Sequence, residues 1–157
     1  MSRDPGDGRQ VTGMIGLGLL GSAIARRLLE HGLEVIGLDL DPGRAPELGM
    51  ETADSPAQLA ERVERVVLCL PDSDAVEEVC GGSAGLLSAS ASRLELVIDC
   101  TTGDPDRSEA LAGRMGGAGI AFVEAAVSGS SELMLSGEAA LLVGADPGGL
   151  EAAAELL

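Results

Sequence analysis

Tryptophan and tyrosine are absent from this sequence, and phenylalanine and histidine occur once each. Protein fluorescence therefore cannot report ligand binding, and imidazole chemistry has one candidate, His31. Basic residues are scarce too: ten against 26 acidic ones, for a formal charge of −16. Such a field repels nucleic acid and anionic membrane surfaces, so neither is expected as a partner. The cysteines, Cys69, Cys80 and Cys100, are three in number and lack the paired spacing of a zinc site or a disulfide framework. No metal is expected, and a reducing cytoplasm is the expected location. No segment approaches the length of a membrane span. Residues 1–10 have no apolar stretch that could act as a secretory signal and read as a flexible tail.

What the sequence does have is aliphatic residues and glycine. With 157 residues, 45% of them apolar, it suits one domain with a sizeable core. Residues 14–21 read Met-Ile-Gly-Leu-Gly-Leu-Leu-Gly, and Asp39 follows the last of these glycines by eighteen positions. Glycine triplets arise by chance in a chain with 23 glycines, so the surroundings must decide. Val11 to Ile15 suits a buried parallel strand, and Leu20, Ile24 and Leu28 follow at helical spacing. His31-Gly32 closes that helix, with the histidine at the negative end of its dipole. Leu33 to Leu38 supplies a second strand ending at Asp39. Strand, turn, helix and strand thus fit in about thirty residues, the length of a βαβ unit.

In such a unit Gly16 permits the tight turn, Gly18 lets a pyrophosphate approach the backbone, and Gly21 brings helix and strand together. The helix N-terminus offers N–H groups and a positive dipole end, and Asp39 can bind a ribose diol. The pattern implies dinucleotide binding through Gly16, Leu17, Gly18, Leu19, Leu20, Gly21 and Asp39. Because the net charge opposes an anion at long range, local dipoles must hold the phosphates, with Arg26, Arg27 or Arg44 as candidate helpers.

Strands and helices keep alternating beyond this unit, which favours a parallel sheet with right-handed crossovers. Ser55-Pro56-Ala57-Gln58 is a capping box that opens a helix. Val66 to Leu70 reads as a strand, Pro71 to Asp74 as the start of an acidic helix, and Gly81 to Ser92 as a loose stretch. Leu94 to Ile98 is the next strand, and Asp104-Pro105 starts a helix with Leu111 and Met115 facing the core. Ile120 to Val123 and Leu141 to Val143 complete six or seven strands. Asp146-Pro147 opens a last helix whose apolar stripe, Leu150, Ala153, Ala154 and Leu157, still runs at the end of the sequence. An apolar helix face needs a partner, so the domain reads as cut short of a continuing structure. The expected class is a doubly wound, Rossmann-type α/β domain over residues 11–157, with a mostly parallel sheet.

The glycine motif, Leu70-Pro71, the run Asp99-Cys-Thr-Thr-Gly-Asp-Pro105 and the run Glu124-Ala-Ala-Val-Ser-Gly-Ser130 together resemble the N-terminal domain of the β-hydroxyacid dehydrogenases. The resemblance spans residues 11–157. It implies that Leu70 and Pro71 line the cofactor, that Thr102 lies beside the nicotinamide, and that Ser128 and Gly129 hold a substrate carboxylate. Neutral donors on a tight loop suit that last role. Two residues depart from the family pattern: Ala126 stands where proline is usual, and Ser130 where a second glycine is usual. Thr102 and Ser128 could otherwise serve as plain turn hydroxyls bonded to their own backbone.

The family moves a hydride between a nicotinamide and a small 3-hydroxy acid or its carbonyl partner, with a lysine in a helical second domain as general acid or base. No residue here matches that lysine, so no catalytic residue is assigned in this chain. The helical domain, through which the family often forms a homodimer, is expected to be missing. Asp39 favours NAD over NADP, because a carboxylate accepts from the ribose diol and repels a 2′-phosphate. A hydrogen bond to a charged group contributes about 1.5–3 kcal/mol, which makes the expected preference about tenfold to a hundredfold. Arg44 is near enough in sequence to soften it. The reading of another class is a non-catalytic dinucleotide-binding module or sensor.

Overall fold

In the computed structural model the chain is described from residue 10 to residue 157. The tail expected over residues 1–10 falls, but for Gln10, outside the described residues. Seven strands form one sheet: β1 (Val11–Ile15), β2 (Glu34–Leu38), β3 (Glu51–Thr52), β4 (Arg65–Leu68), β5 (Leu96–Asp99), β6 (Ala121–Ser128) and β7 (Ala140–Gly144). Their order is β3-β2-β1-β4-β5-β6-β7, parallel throughout except that β7 runs antiparallel to β6. The helices are α1 (Leu19–Glu30), α2 (Arg44–Glu47), α3 (Pro56–Ala60), α4 (Ser73–Gly81), α5 (Pro105–Gly117), α6 (Ser131–Ser136) and α7 (Pro147–Ala153).

Two apolar layers hold the sheet. On one face Ile15, Leu59, Val66, Leu68, Val97, Leu111 and Met115 pack beneath α3, α4 and α5. On the other, Met14, Ile24, Leu28, Val35, Val67, Ile98 and Ala153 pack beneath α1 and α7. Because β1 sits between β2 and β4, the chain leaves it in one direction and resumes beside it in the other. The crevice at the carboxyl ends of those strands is where open α/β sheets bind ligands.

The local starts are as expected. Ser55, Asp72, Asp104 and Asp146 each accept a backbone N–H from the first turn of the helix they precede. Other boundaries differ, each for a physical reason. β4 stops at Leu68 because the Leu70 N–H bonds a threonine side chain instead of a ladder carbonyl. β6 is twice the expected length, because its second half pairs with β7 from Glu124↔Gly144 to Ser128↔Ala140. Ser128 therefore ends a strand and is not within a loop.

The stretch 81–92 contains a short 3₁₀ turn, Leu86–Ser88, with Leu86 fully buried. The stripe expected near the end of the chain forms in part only. Ala153 is buried while Leu150 and Leu157 are exposed, and α7 ends at Ala153. Beyond it Glu155 accepts a 2.7 Å hydrogen bond from Arg65 Nη1 and Leu156 packs on the core.

Candidate functional site

Parallel strands place the residues that follow them along one edge of the sheet. In spatial order these are Asp39 after β2, the Gly16–Gly21 turn after β1, Leu70 and Pro71 after β4, Thr102 after β5, and Ser128 at the end of β6. Four strand spacings separate the first from the last, about 19 Å. Ser128 also stands four residues past Glu124, the partner of β5's last residue, Asp99. The end of β6 thus projects beyond the neighbouring strand ends.

The three glycines have distinct roles. A Cβ on Gly16 would meet the Cys69 carbonyl oxygen at 2.1 Å, and one on Gly21 would meet the Gly16 oxygen at 1.9 Å. Both positions are closed by the protein's own packing. Gly18 is open: the nearest atom to a Cβ there is Arg44 Nη1, at 3.9 Å. It is also the N-cap of α1, which has no side-chain cap and no acidic residue in its first turn. α3 to α7 all begin with a side-chain oxygen on a backbone N–H, Ser130 serving α6. A twelve-residue helix with an uncapped start at an open glycine fits a pyrophosphate, whose oxygens would take those N–H groups.

Asp39 faces this turn and already has partners. Its Oδ2 accepts the Leu17 N–H at 2.6 Å and its Oδ1 accepts the Asp41 N–H at 2.9 Å. Arg44 Nε lies 3.8 Å from Asp39 and 3.7 Å from Asp41, while its Nη1 donates to the Leu17 carbonyl at 2.8 Å. The Leu17 backbone is thus taken up by the chain's own groups, and its side chain is buried. Leu20 packs partly into the core, whereas Leu19 projects into solvent. Asp41 accepts the Gly43 N–H at 3.0 Å, a turn contact.

At the other end of the edge Pro71, Thr102, Ser128 and Gly129 are exposed and Leu70 is half-buried. Neither the Thr102 nor the Ser128 hydroxyl is bonded to its own turn among the described residues. Gly129 has φ +147°, a conformation that favours glycine. Ser130, the departure from the family pattern, caps α6 by accepting the Leu133 N–H at 3.3 Å. His31 closes α1, its Nδ1 lying 2.8 Å from the Arg27 carbonyl, away from this edge.

Two features were not legible in the sequence: the clamp Arg44 forms around the Leu17 carbonyl, and the buried hydroxyl of Thr101, which accepts the Leu70 N–H at 3.0 Å. Cys69 and Cys100 lie just past the ends of β4 and β5. Burial pushes their thiols up to about 11 and about 12 respectively, with nearby Asp99 adding to the effect, so they stay neutral and pack as small apolar groups.

Known proteins share this fold. Mouse mitochondrial 3-hydroxyisobutyrate dehydrogenase is 36% identical over 148 residues, which is 92% of this chain and 44% of that protein. The solved structure of Mycobacterium tuberculosis 3-hydroxyisobutyrate dehydrogenase with L-serine superposes with a TM-score of 0.82 at 22% identity, over 94% of this chain and 50% of that one, a likeness of fold. A structure of Psf3 in complex with NADP+ and 2-OPP gives a TM-score of 0.83 at 29% identity, over 92% of this chain and 52% of that one. The chain spans about half the length of the relatives it matches. Over residues 11–157 it matches the model of the NAD binding domain of 6-phosphogluconate dehydrogenase, and it belongs to that family.

Proposed function

We propose that this domain forms the cofactor half of an oxidoreductase that moves a hydride between a nicotinamide dinucleotide and a small 3-hydroxy acid or its carbonyl partner. The observation that carries the reading is the open Gly18 at the uncapped start of α1, beside Asp39. The bound nicotinamide would supply the hydride-accepting and hydride-donating ring. The residues of this chain bind and orient: Gly18, Leu19, Leu20 and Gly21 receive the pyrophosphate, with Gly16 and Leu17 shaping the turn. Asp39 takes the adenosine ribose, Leu70, Pro71 and Thr102 line the nicotinamide side, and Ser128 and Gly129 hold a carboxylate. The names of the relatives support the substrate class. All ten basic residues of this chain are arginines, so a lysine acid or base has to come from a helical domain outside it. Alone, the chain binds cofactor without turnover.

NAD is the preferred form. Each Asp39 oxygen accepts one N–H and keeps acceptor capacity for a ribose hydroxyl, whereas a 2′-phosphate meets that carboxylate and must draw Arg44 away from Asp39, Asp41 and the Leu17 carbonyl. Calorimetric titration tests both parts, with NADPH as competitor because Psf3 holds NADP+. NADH is expected to bind about tenfold to a hundredfold more tightly than NADPH. No binding of either at millimolar concentration overturns the cofactor reading, and tighter NADPH binding overturns the role of Asp39.

A further inference from the structure

We propose that Thr101, held by Asp99, is a positioning residue of the cofactor cleft: its hydroxyl sets the path of Cys69-Leu70-Pro71 against the glycine turn. This rests on the reading that the cleft binds a nicotinamide dinucleotide.

Both residues are buried, Thr101 at 5% and Asp99 at 4% exposure, although they stand at the edge where the neighbouring Thr102 is open to solvent. The β1–β4–β5 ladder runs one residue beyond the strands, with Cys69 N–H donating to the Ile15 carbonyl at 2.9 Å and Cys100 N–H donating to the Leu68 carbonyl at 2.8 Å. There it stops, and the next donor, the Leu70 N–H, has no strand carbonyl to reach. The Thr101 hydroxyl oxygen accepts it at 3.0 Å across 31 residues of sequence. Asp99 anchors the residue in turn: its carboxylate Oδ1 accepts the Thr101 N–H at 2.9 Å. With its backbone fixed on Asp99 and its oxygen bonded to the Leu70 amide, the buried side chain is held between the two strand ends.

The segment so held lies on the turn itself. The Cys69 carbonyl and Leu70 Cδ2 are the atoms a Cβ on Gly16 would strike, at 2.1 and 3.1 Å. Freeing the Leu70 amide therefore loosens the wall next to Gly16 and the two residues, Leu70 and Pro71, assigned to the cofactor. A merely local turn hydroxyl would bond within its own loop; this one joins the ends of β4 and β5.

The test uses the whole chain with Thr101→Val, which keeps the shape and removes the acceptor, and Thr101→Ser, which restores it. Three quantities are read: hydrogen exchange at the Leu70 amide by NMR without cofactor, NADH affinity by calorimetry, and the thermal midpoint. Thr101→Val is expected to speed Leu70 exchange at least tenfold and weaken NADH binding at least fivefold, while Thr101→Ser stays within twofold of the unaltered chain in both. Should the valine variant not fold, Thr101→Ala against Thr101→Ser asks the same question, since the hydroxyl is the main difference between them. Unchanged Leu70 exchange, or freed exchange with unchanged NADH affinity, overturns the proposal. Failure of the unaltered chain to bind NADH is a separate result and overturns the cofactor reading on which the proposal stands.

Discussion

Gly18 and Gly21 are three residues apart, and the same substitution should act on different properties at each. At Gly21 an added methyl meets the Gly16 carbonyl oxygen at 1.9 Å, backbone against backbone, so the turn or the helix must shift. Overpacking of this kind costs about 1–3 kcal/mol, and Gly21→Ala is expected to lower the thermal midpoint by several degrees, with cofactor binding lost as a consequence. At Gly18 the backbone has φ −68°, open to any residue, and the nearest obstacle is the movable end of Arg44 at 3.9 Å. Gly18→Val should therefore unfold within a few degrees of the parent, since loss of an N-cap glycine costs roughly 1 kcal/mol or less, yet bind NADH at least tenfold more weakly. Paired melting and calorimetry on the two variants decide it. A Gly18→Val chain that binds as the parent does would remove Gly18 from the phosphate contact.

Among elements, α6 follows Ser128 and Gly129, the proposed carboxylate holders, and has no fully buried residue of its own. It is held by packing on α1, by Met134 against the core, and by the Ser130 cap. Such an element opens locally at a free energy below that of the whole domain. Ser130→Ala should cost about 1 kcal/mol within α6, which speeds exchange of its amides roughly fivefold and leaves β1 and β4 amides unchanged. Ser130→Gly, the residue usual in the family, should cost only a few tenths of a kcal/mol. Equal exchange in all three proteins would mean the cap does not support α6.

This helix also shows what a sequence conceals. The starts of α3, α4, α5 and α7 are legible because Ser55, Asp72, Asp104 and Asp146 act within their own first turns, and β1-turn-α1-β2 is legible because its periodicity is local. α6 escapes because six residues, Ser131 to Ser136, are too few to show a helical period, and its packing comes from α1, more than a hundred residues earlier. β3, two exposed edge residues, has no hydrophobic pattern to read. The full length of β6 depends on pairing with β7, which small residues such as Ala125 and Ala126 do not announce. The same division runs through the candidate site. Glycines and Asp39 follow from spacing and the strand-end hydroxyls from the family resemblance, whereas the Arg44 clamp and the bond from Leu70 to Thr101 join residues 27 and 31 apart and exist only once the sheet is assembled.

For the molecule as a whole, the absences in the composition make its alkaline stability unusually simple to interpret. Between about pH 9 and 11 the side chains that ordinarily titrate are cysteine, tyrosine and lysine. This chain has no tyrosine and no lysine, and its three thiols are the groups left in that range. Burial raises Cys80 and Cys100 from 9.0 to about 12 and Cys69 to about 11, with Asp99 adding to all three, Cys69 adding at Cys100, and Arg114 opposing at Cys80. Below pH 9 the thiols are protonated in both folded and unfolded chains and contribute no pH dependence. Above it the unfolded chain releases its protons first, so the folded state loses stability as pH rises, and the loss levels off only past about pH 12. At pH 10 Cys80 and Cys100 should each cost about 1 kcal/mol relative to pH 9, with a similar share from Cys69, whose raised value also lies above pH 10. For a domain of this size that lowers the thermal midpoint by roughly 5–10 °C. Melting curves under reducing conditions from pH 8 to 10.5 check this against a Cys80→Ala, Cys100→Ala double variant. The double variant starts from a lower midpoint, because each substitution empties buried volume, but its midpoint should fall much less steeply with pH. Equal slopes in the two proteins would show that something other than the buried thiols governs the alkaline limb.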